Sequence, residues 1–368
     1  MSDISLFESV HVGELPVAEV KQNNQELAAR AGLGVDASRT TLLSLIAARE
    51  ALDDAAIPHL SNLRTGFVSA NTVGGMDKSE GFFVEFLADN NKGKLKNIFD
   101  HECGSMTETV AIQLGLTGYM TTLSTACSSS ANAVFFAARL IKNGLLDVVV
   151  AGGTDALTKF TLNGFNTLMI LDKNYCKPFD QNREGLNLGE GAGYVVLVSD
   201  RVADMVNKEL YAELSGYCNA NDAYHQTASS PDGTGSYMAM QGALKKAGLQ
   251  PGDISYINLH GTGTANNDSA EGTAIKRLFG EPYPPLSSTK SFTGHTLGAS
   301  GGIEAVFSAL AVKYGLIYPN LRFQTQMEEL PFAPETKFMD DQDIQHVMSN
   351  SFGFGGNCTS LIFSKVNS

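Results

Sequence analysis

Positive charge is what this sequence is short of. It carries 26 lysines and arginines against 39 aspartates and glutamates, a formal net charge of −13. That balance argues against DNA or an anionic membrane as the main partner, while leaving room for a local basic patch that meets an acidic protein. Cysteine is also sparse. Residues 103, 127, 176, 218 and 358 form no C-x-x-C pair and no ligand-like spacing, which disfavours zinc and disulfide frameworks alike. An odd cysteine count in a long chain fits a reducing cytoplasm. No apolar run approaches the length of a membrane span, and residues 1–30 lack the basic-then-apolar order of a signal peptide. The 37 glycines are dispersed rather than gathered in a tract, which indicates tight turns and close backbone approaches rather than disorder. A soluble cytoplasmic protein is expected, with no nucleic-acid or membrane partner.

What is present is an alternation of strands and helices. At 368 residues and 43% hydrophobic content, the chain can form one large domain or two ordinary ones. Residues 39–55 show helical spacing, with Leu42, Leu45, Ile46, Arg49 and Leu52 on one face. Residues 65–70, 146–151 and 194–199 read as short buried strands, and 131–144 as a helix ended by Gly144. The second half repeats the rhythm: helices over 237–248, 267–279 and 301–315, a strand over 254–260, and paired strands about the glycines of "SNSFGFGG". This pattern predicts an α/β architecture. The natural seam lies within 199–210, giving halves 1–205 and 206–368.

Four stretches are candidates for chemistry. In "TLSTACSSSANAV" Cys127 stands between a strand and a helix of small residues. A helix N-terminus favours the thiolate, and small neighbours leave backbone N–H groups free for an oxyanion. A buried cysteine packed as a small hydrophobe is the plain alternative. His260 ends an apolar strand and enters "HGTGT", so it projects from the carboxyl edge of a sheet, where ligands sit. Thr262 and Thr264 follow it. His295, in "SSTKSFTGHTLGAS", precedes a helix whose dipole should keep it neutral, and a Lys290–Glu304 pair could fix it. In "SFGFGG", glycines including Gly355 flank Phe354, as in a loop that moves or in a simple hairpin turn. One thiol with two neutral histidines suits a reaction that stabilises an enolate with two donors, more than it suits a protease.

These residues, with "KPFDQNREGLNLGEGAG" (177–193), give a chain that resembles the elongation-type β-ketoacyl-acyl carrier protein synthases. The motifs fall in order from about residue 30 to the C-terminus. The resemblance implies a thiolase-like fold: two similar α/β halves stacked as five layers, α-β-α-β-α. It implies that Cys127 accepts the acyl chain and that His260 and His295 complete a Cys-His-His set. Lys290, counted with the catalytic group, and Glu304 match a supporting network. The backbone N–H groups of Cys127 and Phe354 match the oxyanion hole, with Phe354 and Gly355 on a gating loop at the acyl pocket. Thr262 and Thr264 match the threonines that bind a phosphopantetheine arm, and Asp222 lies in a matching second mobile loop. No metal and no free cofactor are implied, because substrates ride on acyl carrier protein. A homodimer is expected, or a heterodimer with a related subunit.

Two departures from the family pattern carry expectations of their own. Relatives open with a Val/Ile-rich strand ahead of the equivalent of "ISLF", and without it the first half would show an uncovered sheet edge. Residues 171–178 look shorter than the matching loop of many relatives. An impaired homologue serving as a binding or partner subunit is the rival reading; Cys127 counts against it. Initiating synthases would carry Cys-His-Asn, and degradative thiolases a second cysteine that Cys358 matches poorly. Carrier proteins are acidic, so Lys173, Lys177 and the 92–96 cluster are candidate docking residues.

Overall fold

Side-chain alternation along the buried strands decides the layering. The computed structural model describes residues 1–366. Strands β1 (Thr65–Ala70), β2 (Tyr119–Leu123), β3 (Val148–Asp155) and β4 (Gly191–Val198) form a sheet in the order β2-β1-β3-β4. Strand β1 runs parallel to β2 and β3, and β4 runs antiparallel to β3. Strands β5 (Glu213–Asn221), β6 (Tyr256–Asn258), β7 (Leu286–Ser287), β8 (His346–Gly353) and β9 (Asn357–Ser364) form a second sheet, β5-β9-β8-β6-β7. The helices interleave them. Before the second sheet come α1 (Asn24–Ala31), α2 (Arg39–Ala55), α3 (Met76–Ala88), α4 (Cys103–Gln113), α5 (Ser129–Lys142), α6 (Lys159–Thr167) and α7 (Asp200–Ala203). Within it lie α8 (Thr234–Ala247), α9 (Ala265–Phe279), α10 (Lys290–Thr293) and α11 (Ser300–Tyr314).

In a strand, neighbouring side chains face opposite ways. Phe67 and Val150 of the first sheet face outward onto Leu42 and Leu45 of α2 and Met106 and Val110 of α4. Their neighbours Val68 and Val149 face inward onto Ala133, Val134 and Ala137 of α5. The second sheet mirrors this. Tyr256, Val347 and Leu361 join that same inner core, while Ile257, Met348 and Ile362 pack outward against α8 and α9. Helices α5 and α11 therefore lie between two sheets, and the layers read α-β-α-β-α as expected. The inner layer is thin because its residues are small. A Cβ on Gly302 of α11 would sit 2.4 Å from the Gly193 carbonyl oxygen, and one on Gly193 would sit 2.4 Å from the Ile303 nitrogen.

Most elements fall where the spacing puts them. Helix α2 covers the expected residues, and β8 and β9 form the expected hairpin about the "FGFGG" turn. The strand expected over 254–260 is only Tyr256–Asn258. After Leu259 the backbone leaves the ladder, because the N–H groups of His260 and Gly261 turn to the buried Glu271 carboxylate at 2.9 and 2.8 Å. The two sheets differ at one edge. Strands β7, β6, β8 and β9 correspond in order and direction to β2, β1, β3 and β4. Strand β5, antiparallel to β9, has no counterpart beside β4 among the described residues. Val195–Val198 of β4 are accordingly only half-buried, whereas Cys358–Ser364 of β9 are buried. No helix among the described residues is long and apolar enough to cross a membrane.

Candidate active site

The strand–elbow–helix reading of Cys127 holds in three dimensions. Strand β2 ends at Leu123, and Ala126 takes a left-handed φ of 53°. Helix α5 then begins at Ser129. A positive φ on a residue with a Cβ is strained and needs support from its surroundings. Here the Ser129 hydroxyl donates to the Ala126 carbonyl and accepts from the Thr125 N–H at 2.8 Å. The elbow presents Cys127 to the gap between the two sheets, and the thiol is 5% exposed.

The structure brings the two histidines to it. His295 Nε2 lies 3.0 Å from Cys127 Sγ. His295 Nδ1 lies 3.0 Å from Ser300 Oγ, which is 3.1 Å from Thr296 Oγ1. The imidazole of His260 crosses that of His295 edge to face, with centroids 5.5 Å apart and planes at 87°. His260 Nδ1 is 3.3 Å from Lys290 Nζ. A lysine ammonium only donates, so Nδ1 must carry the lone pair and Nε2 the proton. Burial, the Lys290 charge and then His295 push the His260 pKa well below its ordinary value; burial and Lys290 do the same for His295. Both rings are neutral at pH 7, as expected, though the cause is desolvation rather than a helix dipole.

The thiol departs from expectation. Burial pushes Cys127 up to about 11, against the opposing pull of the Lys290 charge and of backbone N–H groups from Phe354 and Cys127 itself. Desolvation outweighs the helix tip, so the resting pair is a thiol and a neutral imidazole, not a standing thiolate. His295 Nε2, 3.0 Å away, is placed to take the thiol proton. Lys290 and Glu304 do form a buried ion pair, but Lys290 reaches His260 and not His295. The pair therefore steadies the other histidine, a correction to the expected arrangement. Glu304 is completed by Ser351 Oγ at 3.4 Å.

The remaining expected residues ring this centre. The Phe354 backbone N–H is among the groups that favour the Cys127 thiolate, while its ring stacks on Phe165 of α6 at 6.0 Å. Gly355, at φ 80°, is exposed and donates its N–H to the Gln226 carbonyl at 2.8 Å. The hydroxyls of Thr262 and Thr264 lie 2.9 Å apart on the loop that carries His260. Asp222 is farther out: its N–H bonds the Gly356 carbonyl at 3.2 Å and its carboxylate accepts from Ser230 N at 3.0 Å. It braces the Phe354 turn from below and does not join the Cys-His-His group. Lys173 is exposed and Lys177 half-buried. Within the 92–96 cluster, Lys96 pairs with Asp36 at 2.8 Å.

Two buried carboxylates went unread in the sequence. Glu271 on α9 holds the His260 backbone, and burial lifts it to about 7. Asp155, at the end of β3, accepts from the Gly298 N–H at 2.7 Å and from Thr72, which pins the turn after His295; burial lifts it to about 6. The available signals were "AEG" nearly two turns into α9 and an aspartate closing an apolar strand. Neither pattern is specific.

Family models agree with this assembly. Residues 34–203 match the β-ketoacyl synthase N-terminal domain and residues 211–324 its C-terminal domain. The chain is 37% identical over 370 residues to 3-oxoacyl-[acyl-carrier-protein] synthase 2 of Staphylococcus aureus (strain COL), an alignment covering 97% of this chain and 88% of that protein. This chain belongs to the β-ketoacyl synthase family. Among solved structures, the ishigamide ketosynthase/chain length factor superposes with a TM-score of 0.93 at 28% identity, covering 99% of this chain and 91% of that one. The ketosynthase ApeO in complex with its chain length factor ApeC, from Xenorhabdus doucetiae, gives 0.80 at 31% identity over 96% and 87%. As a β-ketoacyl synthase, the chain has the thiolase-like layering that its two sheets display.

Proposed function

We propose that the chain is a β-ketoacyl-acyl carrier protein synthase, an acyltransferase that joins acyl and malonyl units by decarboxylative Claisen condensation in fatty acid or polyketide elongation. The observation that carries this reading is the 3.0 Å contact between Cys127 Sγ and a neutral His295, with a second neutral imidazole crossed against it. In the first step the thiol proton moves to His295 and Sγ attacks the acyl thioester carbonyl. The oxyanion falls to the N–H groups of Cys127 and Phe354. The carrier's C–S bond breaks, and its sulfur leaves with the proton from His295. In the second step a malonyl thioester oxygen accepts from the Nε2–H groups of His260 and His295. The Ser300–Thr296 hydroxyl chain can run in either direction, so either tautomer of His295 finds a partner at Nδ1. The bond to the carboxylate breaks, CO₂ departs, and the electron pair stays as an enolate. The enolate carbon then attacks the acyl group, the C–Sγ bond breaks, and one proton from water restores the thiol.

Roles follow for the surrounding residues. Thr262 and Thr264 hold the phosphopantetheine arm, and the Phe354 turn, braced by Asp222 and stacked on Phe165, opens to admit the chain. Lys290 and Glu304 position His260. The reaction draws on no metal and no separate cofactor, the substrates being carried on acyl carrier protein, and its place is the cytoplasm. A related subunit, a second copy or a chain-length-factor-like partner, covers the β2 edge, where Tyr119 and Met120 are 41% and 42% exposed. Incubation with a panel of acyl carriers plus malonyl carrier, products weighed by mass spectrometry, should give β-ketoacyl carriers two carbons longer. If every acyl carrier returns unchanged while a known synthase elongates the same panel, the chain is a partner subunit and not an enzyme.

A further inference from the structure

A cluster of three asparagines lies one helical turn from the nucleophile, outside the Cys127–His260–His295 contacts. Asn357 Oδ1 accepts from two amides, Asn132 Nδ2 at 2.9 Å and Asn219 Nδ2 at 2.8 Å, and lies 2.8 Å from Ser128 Oγ, whose single proton it shares with the Thr125 carbonyl, also at 2.8 Å. Asn132 in turn accepts from Thr359 Oγ1 at 2.7 Å and Asn219 Nδ2 at 3.0 Å, and it donates to Thr125 Oγ1 at 2.9 Å. Ser128 and Thr359 are fully buried. An amide oxygen offers two lone pairs, which the two amide donors already fill, and removing it would strand buried polar groups.

Position gives the cluster its significance. Ser128 directly follows Cys127, and Asn357 stands three residues after Phe354. The bond between them therefore ties the segment that carries one oxyanion N–H to the segment that carries the other. A second contact closes the same gap from the opposite side: a Cβ on Gly353 would sit 3.0 Å from the Thr125 carbonyl oxygen and 3.1 Å from the Cys127 nitrogen. The three asparagines come from α5, a helix of the central layer, and from β5 and β9, neighbouring strands of the second sheet. The separation of the two N–H groups is thus not fixed by any single element. It is set where the amides meet.

We propose that Asn357, clamped by Asn132 and Asn219, is a positioning residue for the oxyanion hole, holding the Cys127 and Phe354 N–H groups at the spacing one thioester oxygen requires. The inference rests on the acyl-transfer reading above and extends it. It separates the two partial reactions. The acyl thioester oxygen uses the backbone pair, whereas the malonyl oxygen uses His260 and His295, which the amide cluster does not touch.

The test measures three quantities on purified full-length protein: acyl loading of Cys127 from an acyl carrier, the KM for that carrier, and CO₂ release from malonyl carrier. Asn357→Ala should slow loading about 10- to 100-fold, with KM unchanged and decarboxylation within about threefold of wild type. Asn357→Asp keeps an acceptor for the amide donors and should restore most of the loading rate. Ser128→Ala cuts only the tie to the elbow and should show the same split at smaller amplitude, which covers the case in which Asn357→Ala does not fold. Equal losses in both partial reactions, or no loss in either, would overturn the proposal. A wild-type protein that neither loads nor decarboxylates would overturn the acyl-transfer reading itself, and this inference with it.

Discussion

At the residue scale, the chemistry depends on which groups burial keeps uncharged. Cys127, His260 and His295 are each at most 5% exposed, and all three are neutral in the resting enzyme. The consequence is testable by alkylation. If the thiol titrates near 11, the rate of iodoacetamide modification of Cys127 should rise about tenfold per pH unit from 7 to 10. A rate already flat above pH 7 would mean a standing thiolate. The Lys290–Glu304 pair makes a second prediction. Lys290→Ala strands a buried carboxylate and should cost about 3–5 kcal/mol in urea unfolding, whereas Lys290→Met combined with Glu304→Leu should cost much less. The identities of these residues were legible from "TACSSS", "HGTGT" and "SSTKSFTGH". Their partners were not: that Lys290 serves His260, and that Glu271 and Asp155 hold the two histidine loops, depends on contacts between residues far apart in the chain.

At the element scale, the site is made by close packing of two central helices against two sheets. Helix α5 brings Cys127 from one side, and α11, with Ser300 at its start, steadies His295 from the other. Their approach needs glycine. Gly193→Ala would drive a Cβ into the α11 backbone and should destabilise the fold by about 1–3 kcal/mol. It should also lower kcat more than KM, since the displaced helix moves His295 off the thiol. Steady-state kinetics beside thermal melts checks both. Helices such as α2 and α8 were readable because periodicity and a terminal glycine are local signals. Strand β6 was overestimated because its end is decided by Glu271, which the local pattern does not reveal.

At the scale of the molecule, the two sheets repeat one plan of order and direction among the described residues, and β4 is left with an uncovered edge. The layering was legible only through family motifs, since alternation of strands and helices gives α/β and no more. The other open edge, β2, exposes Tyr119 and Met120 and packs against α4, where Ile112 is 63% exposed, a surface suited to a second subunit. Met120→Glu should convert a dimer to monomers in light scattering; an unchanged mass would place the interface elsewhere. The account as a whole turns on one covalent intermediate. Wild-type protein given an acyl carrier and digested for peptide mass mapping should carry one acyl group, on Cys127, and malonyl carrier should discharge it as a β-ketoacyl product. An acyl group on another residue, or one on Cys127 that malonyl carrier leaves in place, would contradict it.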